Sequence, residues 1–122
     1  MGNKEFYRLA RAYDIAFSTR DFGEECDFLQ WCLNTFGTAK QKKFLELACG
    51  PANHARVFAQ QGWKTYALDL SEDMIQYAMK KDALEGAEIS YLAADMTDFE
   101  LPERVSLVVN PMESISHIIT NE

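Results

Sequence analysis

Two short apolar runs, each closed by an acidic residue, do most to limit the folds open to this chain. Phe44-Leu45-Glu46-Leu47 leads into a turn of small residues, Ala48-Cys49-Gly50-Pro51-Ala52, and a helical pattern begins at Asn53. The second run, Trp63 to Leu68, stops at Asp69. Strand, tight loop, helix and strand in that order make a right-handed crossover between parallel strands. The carboxyl ends of parallel strands line the ligand crevice of an open α/β sheet. Glu46 and Asp69 are therefore expected at the rim of one crevice, which reads as a nucleoside-binding site.

The rest of the chain is consistent with one α/β domain. Phe6, Leu9, Ala10, Tyr13 and Phe17 recur at helical spacing, and Asp21-Phe22-Gly23 interrupts them. A second helix is expected through Cys26, Phe28, Leu29, Cys32, Leu33 and Phe36, with Gly37 as its carboxyl cap. Lys40-Gln41-Lys42-Lys43 reads as a solvated approach to strand one, Lys43 to Ala48. The next helix runs from Asn53, as its amino cap, to Gln61, and strand two follows from Trp63 to Leu68. Ser71 caps a helix whose inner face is Met74, Ile75, Ala78 and Met79, and Gly86 ends it. Strand three is Glu88 to Leu92, and strand four is Val105 to Val109, apolar throughout its last three residues as a strand buried on both faces would be. Ser114 is placed to cap a last helix through Ile119.

Charge and cysteine content narrow the function. Twelve basic against nineteen acidic residues give a net charge of −7, which argues against nucleic acid, whose affinity rests on Lys and Arg meeting phosphates. Cys26, Cys32 and Cys49 lack metal or disulfide spacing, so no metal is expected and they read as small buried hydrophobes. The amino terminus has no apolar signal region, and no apolar run approaches the ~18 residues of a membrane span. Phe6 stands where a myristoylation signal wants Ser or Thr. A cytoplasmic protein is the expectation.

The loop after strand one separates two ligand classes. A dinucleotide site wants G-x-G-x-x-G so that backbone approaches a pyrophosphate. Here Ala52 takes the second glycine position and Ala55 the third, and Glu46 would repel a pyrophosphate. A nicotinamide-dependent oxidoreductase is thereby disfavoured, and a ligand with a cationic end suits the loop better. Asp69 lies at the distance past Gly50 where an acid takes both ribose hydroxyls.

On these residues the chain resembles a class I S-adenosylmethionine-dependent methyltransferase of the small-molecule type. Leu45-Glu46-Leu47-Ala48-Cys49-Gly50-Pro51-Ala52 resembles the family's first motif, Ala67-Leu68-Asp69-Leu70-Ser71 its second, and Ala93-Ala94-Asp95-Met96-Thr97-Asp98-Phe99 its third. Leu107-Val108-Val109-Asn110 is similar to its strand-four motif, and Tyr13-Asp14 to its amino-terminal lid. The resemblance covers Phe44 to about Ile118. It implies a Rossmann-like parallel sheet in the order 3-2-1-4 with flanking helices, incomplete relative to the family's seven strands. It also implies a helical lid over residues 1–39 and a cofactor-binding core over 40–122.

Carried over by position, the resemblance places Glu46 near the methionine amino group and the Ala48, Cys49 and Gly50 backbone beside that moiety. Asp69 would accept from the ribose, Leu70 and Met74 would flank adenine, Asp95 would take its exocyclic amine, and the Met96 amide would reach a ring nitrogen. Asn110 would face the amino acid portion or the methyl acceptor, and Tyr13 would close over the cofactor. His117 is the candidate base and His54 reads as a helix-surface residue. The expected reaction is methyl transfer to a small molecule, the acceptor atom remaining open between O, N, C and S. The chain stops after strand four, so the alternative is a cofactor-binding half-domain that is a fragment, or that self-associates or takes a partner chain through an open strand-four edge.

Overall fold

The structure, a computed structural model, describes residues 8, 11, 12, 15, 21–37 and 41–110. The elements are α1 (Phe22–Phe36), β1 (Lys43–Leu47), α2 (Asn53–Gln60), β2 (Lys64–Asp69), α3 (Glu72–Glu85), β3 (Ser90–Ala93) and β4 (Leu107–Val109). The four strands form one parallel sheet in the order β3-β2-β1-β4. The parallel sheet is the one expected from the alternation of strands and helices, and its Rossmann-like order is the one the family resemblance implies. The expected helix at residues 114–119, Tyr13 and His117 lie outside the described residues.

Local chemistry sets most element ends. Asp21 caps α1, its Oδ1 accepting from the Glu24 amide at 2.9 Å, so the Asp21-Phe22-Gly23 break is the start of a helix. Ser71 caps α3 as expected, accepting from the Met74 amide at 3.2 Å. Asn53 is not the amino cap of α2. That position falls to Ala52, whose left-handed backbone (φ 59°) turns the chain, while the Asn53 side chain accepts from Lys81 Nζ at 3.0 Å. The inner face of α3 also differs: Met79 is half exposed, and Tyr77 and Asp82 are buried beside Ile75 and Ala78.

Gly37 does close α1, but with ordinary backbone (φ −86°) rather than a left-handed turn. Its amide donates to the Leu33 carbonyl at 2.8 Å. A Cβ there would stand 2.6 Å from both that oxygen and Leu33 Cδ1. Sterics, not backbone conformation, thus call for glycine. Gly37→Ala is expected to cost about 1–3 kcal/mol as overpacking, read as a lower urea midpoint; an unchanged midpoint would refute the contact.

The sheet buries both faces unequally. On one face Phe44, Ala67, Ala55, Phe58 and Ala78 form a core with Cys26 of α1. Phe44 and Phe58 stack there at 4.0 Å, and Trp63 meets Phe58 edge-on at 4.9 Å. On the other face Leu45, Tyr66 and Leu68 are covered by Met96, Phe99, Leu101 and Val105 of the β3–β4 connection, which has no helix. β4 departs from its expected burial on both faces, since Val108 is 51% exposed. The reason is its place at the sheet edge, where among the described residues it pairs with β1 alone.

Two polar clusters lock this architecture. At the amino ends of the strands, Glu103 takes Lys43, Lys64 (2.7 Å) and the Tyr66 hydroxyl (2.6 Å). Hydrogen bonds from Lys43, then Lys64 and Tyr66, hold its carboxyl down to about 2. Lys43 is thus occupied by structure. Between the helices, buried Arg56 donates from Nε to Asp82 Oδ1 at 2.9 Å and from Nη2 to the Pro51 carbonyl at 2.9 Å. The Tyr91 hydroxyl donates to the other Asp82 oxygen. One ion pair therefore joins α2, α3, β3 and the loop after β1.

Candidate active site

All four strands point the same way, so the segments after them gather at one edge of the sheet. Backbone bonds knit that edge: Cys49 N–H donates to the Leu68 carbonyl at 2.9 Å, and Ala94 N–H to the Asp69 carbonyl at 3.1 Å. The loop after β1 is sharply wound, with Ala48, Gly50 and Ala52 at φ 48°, 52° and 59°. Two of these are alanines, for which left-handed backbone costs about 1–2 kcal/mol each. The Ala52 methyl does not narrow the crevice; it is fully buried in the core beside Ala55.

Asp69 is the last residue of β2 and is half-buried. Its Oδ2 accepts from the Gly50 amide and its Oδ1 from the Ser71 amide, both at 2.9 Å. A carboxylate offers about four lone-pair sites, so two remain for a ligand. Glu46 sits on the neighbouring strand in register with Ala67, two residues before Asp69, which puts both acids on one face of the sheet.

The structure places Glu46 differently from a crevice-lining acid. It is 1% exposed, with Oε1 accepting from the Ala55 amide at 2.9 Å and Oε2 at 3.2 Å from His54 Nδ1. Both oxygens are engaged inside the protein. His54 is not a surface residue: it is 2% exposed, and its Nε2 stands 2.9 Å from Glu25 Oε1 of α1. A ring held between two carboxylates is not available as a general base. Burial and the neighbouring Glu46 and Asp69 charges push the Cys49 thiol far up, which removes it as a nucleophile.

The remaining expected residues lie along the same edge. Leu70 is 75% exposed after β2, and Met74 is half-buried in the first turn of α3. Asp95 is exposed after β3 and accepts from the Thr97 amide (2.9 Å) and hydroxyl (2.7 Å), which together lower its carboxyl. Asn110 follows β4, its Nδ2 3.8 Å from Met96 Sδ. Its Oδ1 is buried with no hydrogen-bond partner among the described residues. Such an orphan acceptor costs about 1–3 kcal/mol, and ligand sites are where that cost is met. Among the described residues no cluster suits a metal ion, and no helix is long and apolar enough to cross a membrane.

Motif reading missed Glu25 and Arg56 entirely. The sole signal for Arg56 is a cation inside an otherwise apolar helix stretch, Ala55-Arg56-Val57-Phe58. Nothing local marks Glu25.

A parallel α/β sheet with its acids and small-residue loop at the carboxyl edge defines a Rossmann-like domain. Residues 44–122 match the methyltransferase domain family, and the chain belongs to it, among the class I S-adenosylmethionine-dependent methyltransferases. It is 30% identical over 118 residues to a dTDP-3-amino-3,4,6-trideoxy-alpha-D-glucopyranose N,N-dimethyltransferase of Streptomyces venezuelae, covering 97% of this chain and 45% of that enzyme. The crystal structure of an S-adenosylmethionine-dependent methyltransferase from Clostridium acetobutylicum shares the fold, with a TM-score of 0.76 at 23% identity over 93% of this chain and 46% of that one. The glycopeptide N-methyltransferase MtfA, solved with S-adenosyl-L-methionine, matches 75% of this chain and 42% of its own at 26% identity and a TM-score of 0.57. The chain thus spans a little under half the length of these proteins.

Proposed function

We propose that this domain binds S-adenosylmethionine at the carboxyl edge of its sheet and serves methyl transfer to an amine of a small molecule. The observation that carries the reading is Asp69, a carboxylate fixed by two backbone amides with two lone-pair sites left over. Vicinal ribose hydroxyls are the donors that match it. Leu70 and Met74 offer apolar surface for adenine, and Asp95 and the Met96 amide an acceptor and a donor for its edge. Glu46 acts through the loop: by gripping the Ala55 amide it fixes the Ala48, Cys49 and Gly50 backbone against the methionine portion. The orphan Oδ1 of Asn110 suits an N–H of that portion or of the acceptor. Tyr13 is assigned the covering role its motif implies.

The cofactor supplies an already activated sulfonium methyl, so the chain's task is binding and alignment. An amine acceptor fits the named activities of the Streptomyces and glycopeptide relatives. Of the two histidines, His54 is committed to its carboxylates, which leaves His117 as the candidate base. Calorimetry with S-adenosylmethionine, S-adenosylhomocysteine and NAD tests this. The first two should bind saturably and NAD should not; a folded chain that ignores S-adenosylhomocysteine would sink the reading.

A second reading is favoured by β4, whose outer edge is unpaired among the described residues and carries half-exposed Val108. An uncovered apolar edge recruits another strand. The domain would then be a cofactor-binding half completed by further chain or by a partner. Mass measurement in solution separates the two, a strict monomer with full activity excluding the second.

A further inference from the structure

His54 brings together three elements that the proposed cofactor site does not by itself require to be linked. Its Nδ1 faces Glu46 at the end of β1 (3.2 Å), and its Nε2 faces Glu25 on α1 (2.9 Å). The Phe22 ring meets it edge-on at 5.0 Å, and its carbonyl accepts from Cys26 Sγ at 3.7 Å. Only a protonated imidazole donates from both nitrogens; a neutral one donates from one. The ring therefore donates to both flanking carboxylates at once only while it is charged.

The two contacts are not equivalent. The Glu46 side chain is 2% exposed and that of Glu25 is 35% exposed. Leaving a buried carboxylate unpaired costs more than leaving a partly hydrated one. On deprotonation the remaining proton therefore stays on the Glu46 side, and the Glu25 contact is the one given up. Glu46 also grips the Ala55 amide, so it staples together the two ends of the loop from Leu47 to Asn53.

We infer that His54 is a positioning residue, latching α1 to the cofactor loop through Glu25 on one side and Glu46 on the other. The inference rests on the proposed function only in naming the loop's ligand. The titratable groups that meet His54, among the described residues, are Glu25 from α1 and Glu46 from β1 at the ring and Cys26 from α1 at its carbonyl; Arg56 of its own helix is turned to Asp82. Burial lowers the ring's pKa, but the bonds and charges of Glu46 and then Glu25 outweigh it and leave it raised. A raised pKa means the latch is fully engaged below the ordinary value of about 6.5 and is released as pH climbs through the folded-state value.

The test reads the ligand-free chain first. Ring chemical shifts of His54 and hydrogen-exchange protection factors of α1 are followed from about pH 6 to about pH 8.5, spanning the imidazole range, in the wild type and in Glu25→Gln, a change at a partly exposed side chain. In the wild type α1 should lose protection in step with ring deprotonation while the Ala55 amide stays protected. In Glu25→Gln the ring should titrate at lower pH, with α1 already loosened at pH values where the wild type is protected. Protection that ignores the ring's titration, or a ring unmoved by Glu25→Gln, overturns the latch. S-adenosylhomocysteine affinity at the two pH limits is the second arm. It should fall several-fold at high pH in the wild type and change little in Glu25→Gln. Affinity that is flat while α1 loosens shows that the latch does not reach the loop, and overturns the inference. No binding at any pH defeats the proposed function, and the exchange arm still decides the latch.

Discussion

Arg56→Ala is expected to cost about 3–5 kcal/mol, the range for removing one partner of a buried ion pair. The variant leaves the 6%-exposed Asp82 without its cation and the Pro51 carbonyl without the Arg56 donor, and removes a second, longer bond to the Ala78 carbonyl. Domains have about 5–15 kcal/mol in total, so the loss takes a large share of the chain's stability. Urea denaturation followed by circular dichroism checks this, with Arg56→Leu/Asp82→Leu as the control. Because that pair removes both charges and leaves apolar bulk, it should recover most of the loss. An Arg56→Ala midpoint close to wild type would mean the cluster is solvated and unimportant.

The second large effect falls on binding. Asp69→Ala removes the proposed acceptor of two ribose hydroxyls, hydrogen bonds to a charged group that are each worth about 1.5–3 kcal/mol. S-adenosylhomocysteine affinity should therefore drop by about 100-fold or more. The Gly50 and Ser71 amides lose their partner as well, so the loop after β1 should also loosen, and stability needs measuring beside affinity. Binding within a few-fold of wild type, in a folded variant, would remove the ribose assignment.

The latch and the ion pair show why parts of this molecule were not readable in advance. Arg56 and Asp82 are 26 residues apart, and His54 and Glu25 are 29 apart. Neither pair leaves a periodic trace, because each is made by helices packing across the sheet and not by spacing along one helix. Glu46 shows the same division. Its position at the end of an apolar strand was legible, but which way its oxygens turned depended on where α2 and α1 came to rest. Val108 reads apolar in sequence, and its exposure follows only from β4 lying at an edge.

The sequence by itself determined the order of strands and helices, the parallel sheet, and the small-residue loop with acids beside it. Those features are local, written by side-chain periodicity, caps and glycine placement within spans of a few residues. Tertiary packing alone decided that Asp69 keeps free lone pairs at the crevice while Glu46 is consumed inside, and that His54 is buried between two acids. Desolvation is the physical reason: a buried carboxylate must find a donor from whatever element lies against it, and only the folded chain says which element that is.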